Sequence, residues 1–84
     1  DDLQVGSSAP LVFRDDGTAN SIGMNAYYSS GWKFVTASKY ASLIGNDVNG
    51  NLVLKTSTGT GTADSAITWN NAVKIDSSGN VGIG

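Results

Sequence analysis

The side chains of this chain best suited to acid–base chemistry are aspartates: Asp15, Asp16, Asp47, Asp64 and Asp76. Two carboxylates flanking a sugar bond would be the equipment of a glycoside hydrolase. Each of these aspartates, however, falls in or beside a run of Gly, Ser or Asn that reads as a turn, where Asp bonds the local backbone. None sits in an apolar run of the kind that raises a carboxyl pKa to a working value. Histidine and cysteine are absent, which removes Ser-His-Asp catalysis, zinc ligation and disulfide bridging together. Ser38-Lys39 is an adjacent pair with no motif around it, and the loop Thr58 to Asp64 (TGTGTAD) lacks the GK[ST] ending of a phosphate cradle. Asp47 and Asp76 offer oxygens to calcium, but no EF-hand or calcium-binding glycine repeat surrounds them. The expectation is a protein that is not an enzyme and has no cofactor and no metal.

The aromatic side chains are the other chemical resource: Tyr27, Tyr28, Trp32, Phe34, Tyr40 and Trp69. Sugars stack their C–H faces on such rings, and the polar tips of Tyr and Trp add hydrogen bonds at a wet surface. Adjacent residues of a strand face opposite sides, so one of Tyr27 and Tyr28 is expected inside and the other free. That one and Tyr40 are the candidates for a glycan contact. Trp69, alternating with Ile67, is expected in the core of a trimer, with Trp32 and Phe34 beside it.

Positioning these residues falls to strands. Glycine recurs every few residues and no apolar i, i+3, i+4, i+7 spacing lasts three turns, so helix is not expected. Pro10 to Arg14 reads as a strand closed by an Asp15-Asp16-Gly17 turn. Ser21 to Tyr28 alternates, placing Ile22, Met24, Ala26 and Tyr28 on one face, and Ser29-Ser30-Gly31 turns it into a strand from Trp32 to Thr36. Ser38 to Ile44 reads as an irregular corner or a short helical turn. Asn49-Gly50 is the signal of a two-residue type I′ hairpin, with positive φ at both positions, leading into a strand from Asn51 to Ser57. Thr58 to Asp64 is expected as an exposed loop. Three pieces of one design end the chain, Ile67-Thr68-Trp69, Val73-Lys74-Ile75 and Val81-Gly82-Ile83, each setting two large apolar residues on one side. Gly82 and Gly84 point to a close backbone approach there.

An 84-residue chain is at most one domain, and one this short needs a staple. With disulfides and zinc excluded, association with other chains is what remains. Only 14% of residues are charged and the net charge is -2, with Arg14, Lys33, Lys39, Lys55 and Lys74 scattered, so no footprint for nucleic acid exists. No apolar run is long enough to insert into a membrane. A thin sheet with one apolar face cannot cover that face itself, and pairing with symmetry mates is the direct remedy.

The stretch Ala66 to Gly84, AITWNNAVKIDSSGNVGIG, resembles a segment found repeatedly in bacteriophage tail fibres and tailspikes, often just ahead of a C-terminal intramolecular chaperone domain. NAYYSSGWKFVTASKYAS and NGNLVLKTSTGTGTADSAITW are similar to the same group, so the resemblance runs from about Ala19 to Gly84. It implies an all-β fold of short antiparallel strands and hairpins, assembled as an intertwined or closely packed homotrimeric fibre module. It also implies an extracellular place on the virion, in the tail fibre, among other virion tail proteins. Nothing here matches the chaperone domain, and related sequences commonly continue past such an ending, so the expectation is a segment of a longer protein. One module is expected over 1–84, with an N-terminal strand and turn (1–18), an aromatic hairpin and loop region (19–65) and fibre-like strands (66–84). Ile67, Trp69, Val73, Ile75, Val81, Gly82 and Ile83 are the expected trimer interface. The expected function is structural, through trimerisation and presentation of loops. The alternative is a receptor-binding module that grips a host surface polysaccharide through Tyr27, Tyr28 or Tyr40.

Overall fold

The computed structural model describes residues 2–15, 17, 19–47 and 49–83, with Asn71 described by its backbone. Asp16 and Gly84, both singled out from the sequence, lie outside the described residues. The described chain is all-β and contains no helix. Its nine strands are β1 (Leu3–Val5), β2 (Leu11–Asp15), β3 (Asn20–Met24), β4 (Ala26–Tyr28), β5 (Trp32–Phe34), β6 (Ser42–Asn46), β7 (Leu52–Ser57), β8 (Trp69–Ile75) and β9 (Val81–Ile83). Seven of them form one antiparallel sheet in the order β1-β2-β3-β6-β7-β8-β9, and β4 and β5 form a separate hairpin. Short connections force antiparallel neighbours, so the chain enters at one edge of the large sheet and crosses it strand by strand to the other.

The exception to that serial path is made at Asn25, between β3 and β4. Its φ of 58° lies in the left-handed region that Asn tolerates better than most residues. The corner breaks the alternation expected for Ser21 to Tyr28. Ile22 and Met24 stay on the outer side of the large sheet, whereas Ala26 is fully buried on the inner side. The side chain of Asn25 locks the turn: its amide nitrogen donates to the carbonyls of Thr36, Lys39 and Tyr40 at 3.2, 3.2 and 3.3 Å, and its oxygen accepts from the Thr36 N–H at 2.8 Å. The backbone N–H donates to the Pro10 carbonyl at 2.8 Å, tying the corner to the start of β2.

Turned out of the sheet in this way, the β4–β5 hairpin lies back across its inner face. Phe34, Ala26 and Ala41 form a buried cluster against which Trp32, Ile67 and Trp69 pack. Val12 and Leu43, inner residues of β2 and β6, are also buried. Gly23 makes this close seating possible, because an added Cβ would lie 2.6 Å from the Ala26 carbonyl oxygen and 3.1 Å from the Trp32 ring. Of Ser38 to Ile44, expected as an irregular corner or short helical turn, Ser38 to Ala41 is an irregular corner without helix, whereas Ser42 to Ile44 pair with β3 and β7 as part of β6.

Thr58 to Asp64 differs from the free loop expected. Its threonines are exposed, but its backbone is pinned: Gly61 accepts from the Ser38 N–H at 2.9 Å and the Asp64 N–H donates to Phe34 at 2.8 Å. Ser65 and Ile67 continue the pairing along the free edge of β5. A Cβ on Gly61 would stand 2.8 Å from the Phe34 ring, so this glycine serves the core.

The pieces expected as separate strands around Trp69 and Val73 form one strand, β8, with an irregularity. Lys55 pairs with Asn71 while Leu54 pairs with Val73, so Ala72 is the extra residue of a β-bulge. The bulge inverts the alternation. Trp69 points to the inner side with Ser57, and Val73 and Ile75 point outward.

Asn25→Ala removes the corner's side-chain bonds, at about 1 kcal/mol each with more for donors left buried. It also places a residue with no local bonding in the left-handed region, at about 1 to 2 kcal/mol. A loss of roughly 3 kcal/mol or more is expected in urea unfolding, and Asn25→Gly should recover only the backbone part. Equal stability of the Ala and Gly variants would show that the backbone conformation is not a constraint.

Candidate functional site

Register across the large sheet decides which residues share its outer face. The partners run Leu3–Phe13–Ile22–Ile44–Leu54–Val73–Ile83, one residue from each of the seven strands, and every one is apolar. This is the centre row. On one side of it lies a row that begins apolar with Val5, Leu11 and Met24 and continues polar with Ser42, Thr56 and Asn70. The row on the other side runs the opposite way, from Asp15, Asn20 and Asn46 to Leu52, Ile75 and Val81. The apolar stripe is therefore mostly two residues wide, narrows to Ile44 alone on β6, and changes side of the centre row there.

Nothing among the described residues covers this stripe. Of the eleven large apolar side chains exposed among the described residues, nine lie on this face, the remaining two being Tyr28 and Tyr40. Ile83 is 86% exposed, and Leu3 and Val81 are 61% exposed. At about 150 to 200 Å² per large side chain, the nine expose on the order of 800 Å² of mostly apolar surface, above the roughly 300 to 600 Å² of the largest patch on a typical monomer. An open groove of about 600 Å³ runs along it, lined by Leu3, Phe13, Ile22, Ile44 and Leu52, with Asp15, Asn20 and Asn46 at its polar end.

The residues expected at an interface separate into three groups. Val73, Ile75, Val81 and Ile83 stand together on the open face. Ile67 and Trp69 belong to the chain's own core, because the bulge turns Trp69 inward. Gly82 lies on the opposite side of the sheet, beside Lys74 and Val53 at a second groove of about 460 Å³. A Cβ at Gly82 would come no closer than 3.8 Å to the Lys74 carbonyl, an ordinary contact, so no close approach within the chain explains this glycine. The stripe's other half, on β1 to β3 and on β6 and β7, was not singled out from the sequence. Its signal was present in the alternation Leu11-Phe13 and Leu52-Leu54, but alternation alone does not say which face is covered.

The three tyrosines considered for glycan contact are differently occupied. Tyr27 donates its hydroxyl to the Asp64 carboxylate, and that hydrogen bond, with burial and the carboxylate's charge, raises the phenol above its ordinary value. Arg14 lies 3.9 Å over the Tyr28 ring, and Trp32 stands roughly perpendicular to that ring at 5.7 Å, so one ring face is occupied while the residue stays 40% exposed. Tyr40 is 71% exposed. Among the described residues no three carboxylates gather as a metal site.

Two hairpin loops frame one long side of the open face, and they are copies of one device. Asp47 to Asn51 and Asp76 to Asn80 share the pattern D-x-x-G-N. In each, the aspartate accepts from the backbone N–H groups two and four residues on and from the Asn amide. In each, the glycine takes positive φ, 82° at Gly50 and 88° at Gly79, and among the described loop residues it is the one that does. The first loop is therefore not the expected type I′ turn, since Asn49 keeps negative φ and Asp47 closes a longer loop. These bonds stabilise the charged carboxylates and hold both below the usual carboxylate range, led at Asp47 by the Asn51 amide and at Asp76 by the Asn80 backbone N–H.

No protein-family model matches the chain, nor does any curated protein or solved structure.

Because both carboxylates are held lower in the folded state than in the unfolded one, their contribution is full above the unfolded value near 3.8. It disappears as pH falls through the depressed folded values. Stability should therefore drop below about pH 4. Asp47→Asn with Asp76→Asn should be less stable at neutral pH and flatter in that acid range, as followed by thermal melts across pH. A double variant with the parent's acid slope would remove the loops as its source.

Proposed function

We propose that this chain is a structural module of a bacteriophage tail fibre, part of the host-recognition appendage, acting as a homotrimer that extends the fibre and presents loops. The observation that carries the reading is the apolar stripe crossing all seven strands of a serial sheet. A chain that enters at one sheet edge and leaves at the other advances about 4.8 Å per strand. Such a path suits an element that lengthens a shaft. The stripe then runs along the direction of extension, where a copy of the same chain can cover it. The resemblance of Ala66 to Gly84 to tail-fibre segments supports the same reading.

A second reading has one observation in its favour, the exposed ring of Tyr40. In that reading the module grips a host surface polysaccharide. Binding on a glycan array that disappears in Tyr40→Ala would favour it, and no binding at any concentration favours the shaft.

Two measurements test the main reading. Antibody against this segment, gold-labelled and viewed on phage particles, should mark the tail fibre, and labelling confined to the capsid would overturn the assignment. In analytical ultracentrifugation the 8.6 kDa chain should sediment at about three times its monomer mass at micromolar concentration. Leu54→Glu, a charge in the centre row, should convert it to a folded monomer. A monomeric parent would end the trimer proposal for this segment.

A further inference from the structure

We propose that Asn49 is a site of spontaneous covalent modification, converting to isoaspartate with loss of ammonia, and that the hydrogen bonds Asp47 makes across the loop set the rate. The chemistry needs a carboxamide free to turn, a following residue with no side chain in the way, and a main chain able to bend back on itself. Of the asparagines in this sequence, only Asn49 is followed by glycine. It is exposed in the loop between β6 and β7, and among the described residues no hydrogen bond holds its carboxamide. Asn25, Asn46, Asn51, Asn70 and Asn80 all have their side chains engaged. Asn20 is exposed too, but it lies in β3 and precedes Ser21. Gly50 itself is open: a Cβ there would meet nothing nearer than Ser77 at 3.6 Å.

In the reaction the Gly50 amide nitrogen gives its proton to a solvent base and attacks Cγ of Asn49. A C–N bond forms, the Cγ–Nδ2 bond breaks, and the nitrogen leaves as ammonia after taking up a proton from solvent. Water then opens the cyclic imide at either carbonyl, giving aspartate, or isoaspartate with the main chain rerouted through the side chain. Asp47 opposes the first step twice. Its carbonyl accepts from the Gly50 N–H at 3.2 Å, and Oδ1 of its carboxylate accepts from the Asn49 and Asn51 N–H groups on either side at 2.9 and 3.1 Å. The nucleophile is therefore released only when the loop opens, and the neighbouring negative charge disfavours its deprotonation. The product cannot close again in the same way. Isoaspartate puts one more carbon into the main chain between the two N–H groups that share Oδ1, and it adds a carboxylate beside that of Asp47. The loop between β8 and β9, built on the same D-x-x-G-N pattern, carries Ser78 before its glycine and has no such route. Conversion thus loosens the end of the β6–β7 pair and leaves the twin loop intact.

Incubation at mildly alkaline pH, followed by peptide mapping with enzymatic methylation of isoaspartate, reads conversion residue by residue. Isoaspartate is expected at Asn49 ahead of every other asparagine, and more slowly in the folded chain than in the same chain unfolded in urea. Asp47→Asn, which removes the charge, should speed conversion several-fold in the folded chain and leave the rate in urea nearly unchanged. Asn49→Ser, which copies the twin loop, should melt with the parent and form no isoaspartate in this loop. The converted chain, separated by its added negative charge, should melt below the parent. Earlier conversion at Asn20 or any other asparagine would overturn the assignment of the site, as would a folded chain that stays unconverted at Asn49 while the urea sample reacts. Equal rates in the folded and unfolded parent, or a folded Asp47→Asn that converts no faster than the parent, would overturn the role given to Asp47. The comparison of folded and unfolded parent stands without any variant, and none of these outcomes bears on the fibre reading.

Discussion

The structure turns on the corner at Asn25. One residue in the left-handed region, held by a side chain that bonds three carbonyls and one N–H, takes the chain out of the large sheet and lays the β4–β5 hairpin over its inner side. Asn25 is 1% exposed, so its amide depends on protein partners for its hydrogen bonds, and Asn meets both demands of the site with one side chain. Without the corner, β3 and β4 would be one long strand and neither face of the sheet would be covered. With it, Phe34 and Trp32 are laid on the inner face against Trp69, and the outer face is left bare.

The division of residues between the two faces reverses the usual arrangement. Inner positions of the large sheet include Gly23, Gly45, Ser57 and Lys55, while the outer ones are Leu, Ile, Val, Met and Phe along the whole centre row and half of each flank. Gly23 admits the hairpin at backbone contact distance, and Gly45 lies as close to Asn20 and Ser21 of β3. The large side chains have no such cover. For a chain with a small buried cluster and no covalent staple, the exposed face is the greater reservoir of apolar area, and its burial by like chains supplies what the monomer lacks.

The bulge at Ala72 is the second decision on which the surface depends. A regular strand from Trp69 to Ile75 would put Trp69, Val73 and Ile75 on one side, and the outer band would end in a tryptophan. One extra residue sends Trp69 inward to the Ala26–Phe34–Ala41 cluster and keeps Val73 and Ile75 in the stripe. The D-x-x-G-N loops at the ends of β6 and β8 hold the strand pairs β6–β7 and β8–β9 in the same register, which is why the centre row continues unbroken to Ile83.

Much of the strand content was legible in the sequence, because Gly, Asn and Asp punctuate it and period-two apolar pairs recur between them. The absence of helix, the hairpin through Ser29-Ser30-Gly31 and the apolar pairs Val73-Ile75 and Val81-Ile83 follow from local spacing alone. Local spacing also set a limit, for alternation tells which residues share a face and not which face is covered. The left-handed turn at Asn25 and the extra residue at Ala72 each reverse that alternation without altering composition. Only the tertiary structure decides them, because each is held by partners far along the chain: Asn25 by Pro10 and the corner before β6, and the bulge by the register of β7. The sequence by itself determined that this chain has apolar stripes in excess of its own core. The placement of Trp69 inside, Gly82 behind and the seven-strand stripe outside was decided by those distant contacts.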